Sequence, residues 1–271
     1  MTRLPPEPSR FAALLRRFRT ARRMSQLDLA LACNISARHL SFLETGRASP
    51  SRDMVLELAE GLVLPLGERN TLLQAAGFAA LFPASPLTSD VLGPFREMLS
   101  EMMARHAPYP ALLCDRHWNL LVANPVAALL LSSLTADSGE SNLIRILTAS
   151  GAAEAAIANY GEMLAEMHGR IRLEALEAAA DPVLEDLMEA LNAACARHGI
   201  SPGSQARSPL LPLILRSPAG ELRFLSAIAQ FGTSEDVTVR DLRLELLFPA
   251  NDATKAAIRA IAAEASGHPL P

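Results

Sequence analysis

Residues 25–47, SQLDLALACNISARHLSFLETGR, constrain the fold more than any other stretch of this chain. Counted on from Gln26, apolar residues fall at Leu29, Cys33, Ile35, Leu40 and Leu43, and Ala30 is small where two helices must approach closely. Asn34 stands where the connection needs a left-handed backbone, which Asn tolerates better than most residues. The pattern is that of a helix-turn-helix, two short helices with the second exposed for a DNA major groove. The competing reading is an ordinary helical hairpin in a core. Ser25 with Asp28 makes a capping-box pattern, and Ser36 can cap the following helix. Gly46 ends that helix and Pro50 blocks its continuation. Further helices are predicted over 11–23, with Phe11, Leu14, Leu15 and Phe18 on one face, over 53–62, with Met54, Val55, Leu58, Ala59 and Leu62 as a stripe, and over 67–76.

Charge divides the chain in the same sense. Residues 1–52 hold ten Arg against Glu7, Asp28 and Glu44, a balance of +7; the whole chain is −4, which leaves −11 on the rest. A basic segment on an acidic body is the electrostatic footprint of a nucleic-acid-binding module joined to something else. Two side chains of the second helix have a chemistry that can be argued directly. A guanidinium at Arg38 suits the two acceptors of guanine. Phe42 has two readings, contact with a thymine methyl or packing inward on the next helix. Arg47 and Arg52 follow, near the expected path of the phosphates, with plain solvated surface as their alternative.

The 271 residues exceed one helical module by nearly 200, enough for a second core. No apolar run reaches about 18 residues, so no membrane span is expected. No signal-peptide pattern opens the chain. Three Cys, at 33, 114 and 195, an odd number in apolar settings, point to reduced thiols in the cytoplasm. No Cys or His pair has metal-ligand spacing. Six scattered His and the lack of GxSxG, HExxH and GxxxxGK[ST] motifs argue against catalysis, so no catalytic, cofactor or metal residues are assigned.

The expected domains are 1–80 for DNA binding, a partly packed connector at 81–90, and 91–271. Over the last, the spacing predicts a helix at 91–105 and a hairpin from 111–115 and 118–123. A helix opened by Asn124-Pro125 follows. Three helical segments over 142–198 break near Gly151 and at Asp181-Pro182. Strands at 210–216, 221–230 and 239–248 come next, with a turn at Pro218-Ala219-Gly220, and a last helix covers 251–265. Five strands are thus split two and three around a helical insert.

These residues carry two resemblances. With Ser25-Gln26, Ala30 and the run Leu43, Glu44, Thr45, Gly46, residues 10–77 resemble the phage-repressor type of helix-turn-helix domain, the xenobiotic-response-element family of five helices. The resemblance implies that Gln26 meets phosphate and braces the recognition helix, that Glu44 pairs with Arg19, and that Ser36, Ala37, Arg38, Ser41 and Phe42 lie at the DNA. Ala37 and Arg38 depart from the Gln that repressors often carry there, so no operator sequence follows. HAPYPALLCDRHWNLLVANPVAALLL and FGTSEDVTVRDLRLELLFPANDAT resemble the start and end of the MmyB-like ligand-binding domain, a module related to PAS sensors. The implied fold is all-α in the first domain and α+β in the second, a PAS-like five-stranded antiparallel sheet with a helical insert. The implied function is a homodimeric transcription regulator that binds a duplex DNA operator and answers to a small apolar effector, fatty-acid-like. The alternative is a second domain that only dimerises.

Phe95, Met98 and Met102, on one helix face, are candidates for the wall of an apolar pocket, since Met adapts to varied shapes. Plain core packing is the competing, and for each residue singly the stronger, reading of that stripe. Trp118, the single Trp, is a further candidate. Tyr109, Arg116 or His117 would meet a carboxylate head group, with loop anchoring as their alternative.

Overall fold

Capping explains where the first helices begin. In the computed structural model, which describes residues 9–135, 139–149, 151–178, 181–201, 210–218 and 220–266, Ser25 and Asp28 satisfy one another's backbone N–H groups. Ser9, Ser36 and Ser51 each accept from an N–H of the turn they open. The five helices are α1 (Arg10–Ala21), α2 (Gln26–Ala32), α3 (Ala37–Glu44), α4 (Arg52–Gly61) and α5 (Leu66–Ala75). They enclose one core, in which Leu15, Leu29, Leu40, Leu43, Leu58 and Leu72 are wholly buried. Each such side chain contributes about 1.5–3 kcal/mol by leaving water.

Asn34 has φ 51°, the left-handed turn expected between α2 and α3, and the Ile35 N–H returns to the Ala30 carbonyl at 2.9 Å. Ala30 is buried in the core, and a further close approach falls at Gly61. Gly61 lies in the last turn of α4, where a methyl would stand 2.5 Å from Cys33 Sγ. Gly61→Ala gains about 1 kcal/mol of helix propensity but overpacks the site by about 1–3 kcal/mol. A lower urea midpoint is therefore expected for Gly61→Ala, recovered in Gly61→Ala/Cys33→Ala. An unchanged midpoint in the single variant would remove the clash.

Asn70 pins the segment after α5: its Oδ1 accepts from the N–H groups of Leu81 and Phe82, and its Nδ2 donates to the Phe82 carbonyl. The chain divides into two compact units near this point. The first holds residues up to Ala84, with parts of 172–185 and 235–237; the second holds the remainder.

The later elements are α6 (Gly93–His106), β1 (Ala111–Cys114), β2 (Leu120–Ala123), α7 (Pro125–Thr135), α8 (Leu143–Thr148), α9 (Ala152–Ala156), α10 (Tyr160–Ala178), α11 (Pro182–Arg197), β3 (Leu213–Ser217), β4 (Gly220–Gln230), α12 (Val237–Arg240), β5 (Arg243–Pro249) and α13 (Asp252–Ser266). The strands form one antiparallel sheet in the order β2-β1-β5-β4-β3. The two-and-three split around helices is as expected. Two details differ from the sequence reading. Residues 142–198 form four helices rather than three, because 157–159 are diverted to the sheet: Ile157 bridges to Leu215 and the Ala158 N–H donates to the Ile214 carbonyl. The third of the predicted strands begins later, since Val237–Arg240 closes a helical turn. Ala219, in the expected turn, lies outside the described residues, as do 136–138.

Candidate functional site

Side chains alternate across a strand, so each strand of the sheet faces two ways. On one face Ala111, Leu113 and Leu244 meet Leu99 and Met103 of α6, with Phe95, Met102 and Phe231 packed at the margin. Phe95 and Phe231 stand edge to face at 4.9 Å. On the other face Leu112 and Glu245 are direct partners in the register, and Leu213, Leu215 and Leu247 share their side. There a cavity of about 140 Å³ lies between the sheet and α7, α8, α9 and α10. Its helical wall includes Leu131 and Leu134 of α7, Ile144 and Leu147 of α8, and Met163 and Met167 of α10.

The structure places the expected Met wall away from this cavity. Phe95 and Met102 pack on the face opposite the cavity, and Met98 is 40% exposed. Three- and four-residue spacing shows that a helix has an apolar face, but not which sheet face receives it. Tyr109 is not in the wall either; its ring stands against His106, and its carbonyl accepts from Asn124 Nδ2. Arg116 pairs with Asp241, and the His117 carbonyl accepts from Asn142. Trp118 alone of the five expected pocket residues lines the cavity. Two signals went unread. The run PVAALLLSSL is apolar around much of its helix, which marks a helix buried on more than one side. Glu245 also has the same strand parity as Leu247, an inward position for a charge.

Trp118 is held by the turn below it. Asp115 Oδ1 accepts from the N–H groups of His117 and Asn119, and Asp115 Oδ2 accepts from Asn119 Nδ2. Asn142 Nδ2 donates to the His117 carbonyl at 2.7 Å and to Asn119 Oδ1 at 2.9 Å, while Asn142 Oδ1 caps α8. Trp118 takes φ 65° within this frame. Its ring, 3% exposed, has the Arg170 and Arg243 guanidiniums 5.4 and 5.2 Å from its centre. Such contacts are worth about 0.5–2 kcal/mol each. Beneath α7, burial together with Glu245 and Asp115 pushes the Cys114 thiol up to about 12, against the opposing pull of Arg243. Cys114 is a packing residue, with no thiolate at neutral pH.

The other candidate surface is on the helical unit. Glu44, 5% exposed at the end of α3, accepts from Arg19 Nε at 2.6 Å and Arg19 Nη2 at 3.0 Å. Gln26 Nε2 adds a third donor at 2.8 Å. The hydrogen bond to Glu44 holds the Arg19 guanidinium above its ordinary value, with burial acting the other way. Arg19 also donates to the Met24 carbonyl, just before α2. One carboxylate thus ties α1, α2 and α3 together. Arg38 is exposed, with its guanidinium 5.4 Å from the centre of the Phe42 ring. Phe42 is half-buried and stays outside the core cluster, so it lies on the outer face under Arg38. Ala37 packs partly on the core, Ser41 is half-buried, and the Ser36 hydroxyl is occupied as a cap. Arg47 and Arg52 are exposed with no carboxylate partner among the described residues.

Residues 95–261, more than half of the chain, match the family described as the MmyB-like transcription regulator ligand binding domain. The chain belongs to this MmyB-like family. Residues 10–72 match a helix-turn-helix domain. No curated relative matches the chain. Together the two matches make the MmyB-like chain a DNA-binding transcription regulator that carries a ligand-binding domain; both matched families are of regulator type. None of its described helices is long and apolar enough to cross a membrane.

Proposed function

We propose that this regulator reads duplex DNA with α3 and takes a small apolar effector into the cavity behind Trp118. The observation that carries the first part is the exposed end of α3. Arg38 is propped on Phe42, and Arg47 and Arg52 are exposed beyond it. A forked donor at Arg38 fits guanine O6 and N7, whereas Arg47 and Arg52 fit phosphates. Arg38→Ala is expected to weaken binding to a selected site by about 1–3 kcal/mol and to relax preference at one base pair. Arg47→Ala should weaken binding to every sequence and flatten the salt slope. Gel shifts at several salt concentrations measure both. An Arg38→Ala protein that binds its selected site as wild type does would reject this reading.

For the second part, the cavity wall supports the apolar portion of the expected effector. A ligand changes DNA affinity only if it binds the DNA-competent form better or worse than the other. A differential of about 1–3 kcal/mol would shift DNA affinity by about 5- to 150-fold. Two copies reading half-sites about one DNA turn apart complete the proposal. The alternative, a second unit that only dimerises, draws on one observation: Leu121 and Val122 on the edge strand β2 are each 44% exposed. Native mass spectrometry of the purified chain reports copy number and retained small molecule together. A dimer that neither retains nor binds any apolar compound favours that alternative.

A further inference from the structure

The cavity is small for the effector expected in it. A cavity of roughly 150 Å³ admits a benzene ring, and this one measures about 140 Å³. A fatty acyl chain is larger, so part of the wall must give way. The least supported part is α9. It has five residues, far fewer than a helix needs to persist by itself. Of these only Ala153 is buried, and a methyl group contributes little. Ala153 and the following Ile157 line the cavity, whereas Glu154 and Ala155 are exposed. One helix thus has the chamber on its inner side and water on its outer side. Its neighbour α8 is better held, with Ile144, Ile146 and Leu147 buried, Asn142 as cap, and Arg197 donating to the Thr148 carbonyl.

The main hold on α9 itself is a side chain of the edge strand β3. Arg216 Nη1 donates to the carbonyls of Ala155 at 2.8 Å and Ile157 at 3.0 Å, and reaches that of Glu154 at 3.4 Å. A cation suits the unsatisfied carbonyls at a helix C-terminus. Arg216 is exposed and does not line the cavity, so water can replace it at these carbonyls. A second tie, from Glu154 to His198 at 3.8 Å, is long. Just beyond α9 the chain is pinned: Asn159 Nδ2 donates to the Pro212 carbonyl, and Asn159 Oδ1 accepts from the Ile214 N–H. At the other end Gly151 has φ 107°. Among the described residues no heavy atom beyond its chain neighbours lies within 4 Å of where its Cβ would stand. Resting on the ligand-binding reading above, we infer that α9 is the door of the cavity, hinged at 157–159, and that Arg216 is its latch. Arg216 is then a positioning residue that sets how fast an apolar molecule enters and leaves, without touching it. The latch is made in the closed protein, empty or filled, and broken only in the open form through which the ligand passes. Its removal therefore lowers the barrier in both directions by the same amount.

The test uses the full chain and cis-parinaric acid, whose polyene takes up the emission of the single Trp, Trp118 in the cavity wall. Stopped-flow mixing gives the association and dissociation rates. In Arg216→Met both are expected to rise about ten-fold, the worth of one or two net hydrogen bonds, with the dissociation constant unchanged within about three-fold. A residue that merely shapes the wall would act otherwise: only dissociation would quicken, and affinity would fall. That result, or unchanged rates, overturns the latch and leaves the apolar-effector reading standing. Hydrogen exchange in the wild-type protein decides the matter even if the variant fails to fold. The N–H groups of Ala155 and Ile157 are bonded to the Gly151 and Ala153 carbonyls, and that of Ile146 in α8 to the Asn142 carbonyl. The first two should exchange at least about ten-fold faster than the third, because a door opens locally while α8 stays closed. Equal protection overturns the door. No binding of cis-parinaric acid by the wild-type chain overturns both this inference and the ligand-binding reading on which it rests.

Discussion

Glu44→Ala is expected to lower the unfolding free energy of the helical unit by about 3–5 kcal/mol, the usual cost of removing one partner of a buried ion pair. Surface screening does not soften this case, since the side chains of Arg19 and Glu44 are only 13% and 2% exposed. The loss is more than two hydrogen bonds. Arg19 is left as a buried cation, and the Gln26 amide loses its acceptor. Urea unfolding followed by circular dichroism measures the change. A companion variant checks the cause. Arg19→Met/Glu44→Leu should recover most of the stability, because replacing both charges by apolar groups is often nearly neutral. DNA affinity should fall in Glu44→Ala, since α3 loses its tie to α1 and α2. It should recover less completely than stability in the double variant, where Gln26 stays without its partner. An unchanged midpoint in Glu44→Ala would mean that the pair carries no net stability.

Asn142→Ala should have the next largest effect, about 2–4 kcal/mol. The side chain is 4% exposed and serves both ends of its amide. Loss of the cap on α8 costs about 0.5–2 kcal/mol. The His117 carbonyl and Asn119 Oδ1 each lose a donor, and a buried group left unsatisfied costs about 1–3 kcal/mol. The part-buried setting of His117 and Asn119 keeps the sum below the largest total. The second consequence concerns Trp118, whose left-handed backbone sits between these two residues. Single-Trp fluorescence reports it directly: the emission of Asn142→Ala should move to the red as the ring reaches water. Asn142→Asp keeps the cap but not the two donated bonds, and so divides the two contributions. Native-like stability and emission in Asn142→Ala would show that the turn holds Trp118 without it.

What could be read from the sequence was local or periodic. Ser25, Asp28, Asn34 and Gly46 mark helix ends because caps and left-handed turns are chemistry of a few adjacent residues. The order of strands and helices followed from apolar period and from Asn124-Pro125. The Arg19–Glu44 pair was legible through resemblance, and the Gln26 bond to Glu44 is the brace that resemblance implied. What the sequence could not supply is which faces meet across long separations. The spacing of Phe95, Met98 and Met102 correctly marks an apolar stripe, but only packing decides that it covers Ala111, Leu113 and Leu244 rather than the cavity.

The break at 157–159 has the same origin. Nothing local ends a helix there; strand β3, more than fifty residues later, recruits the Ala158 N–H. Glu245 is the sharpest instance. Its alternation with Leu247 could be read from the strand, but its neighbours come from β1, α7, α8 and α10, separated by up to about a hundred residues or more in sequence. The sequence by itself determined the two kinds of unit, the helix ends and the basic balance of residues 1–52, because these depend on short-range hydrogen bonding, period and composition. Only the tertiary structure decided where the cavity lies and that one carboxylate faces into it, because a cavity is the space left when distant apolar faces pack imperfectly, and no single segment encodes that space.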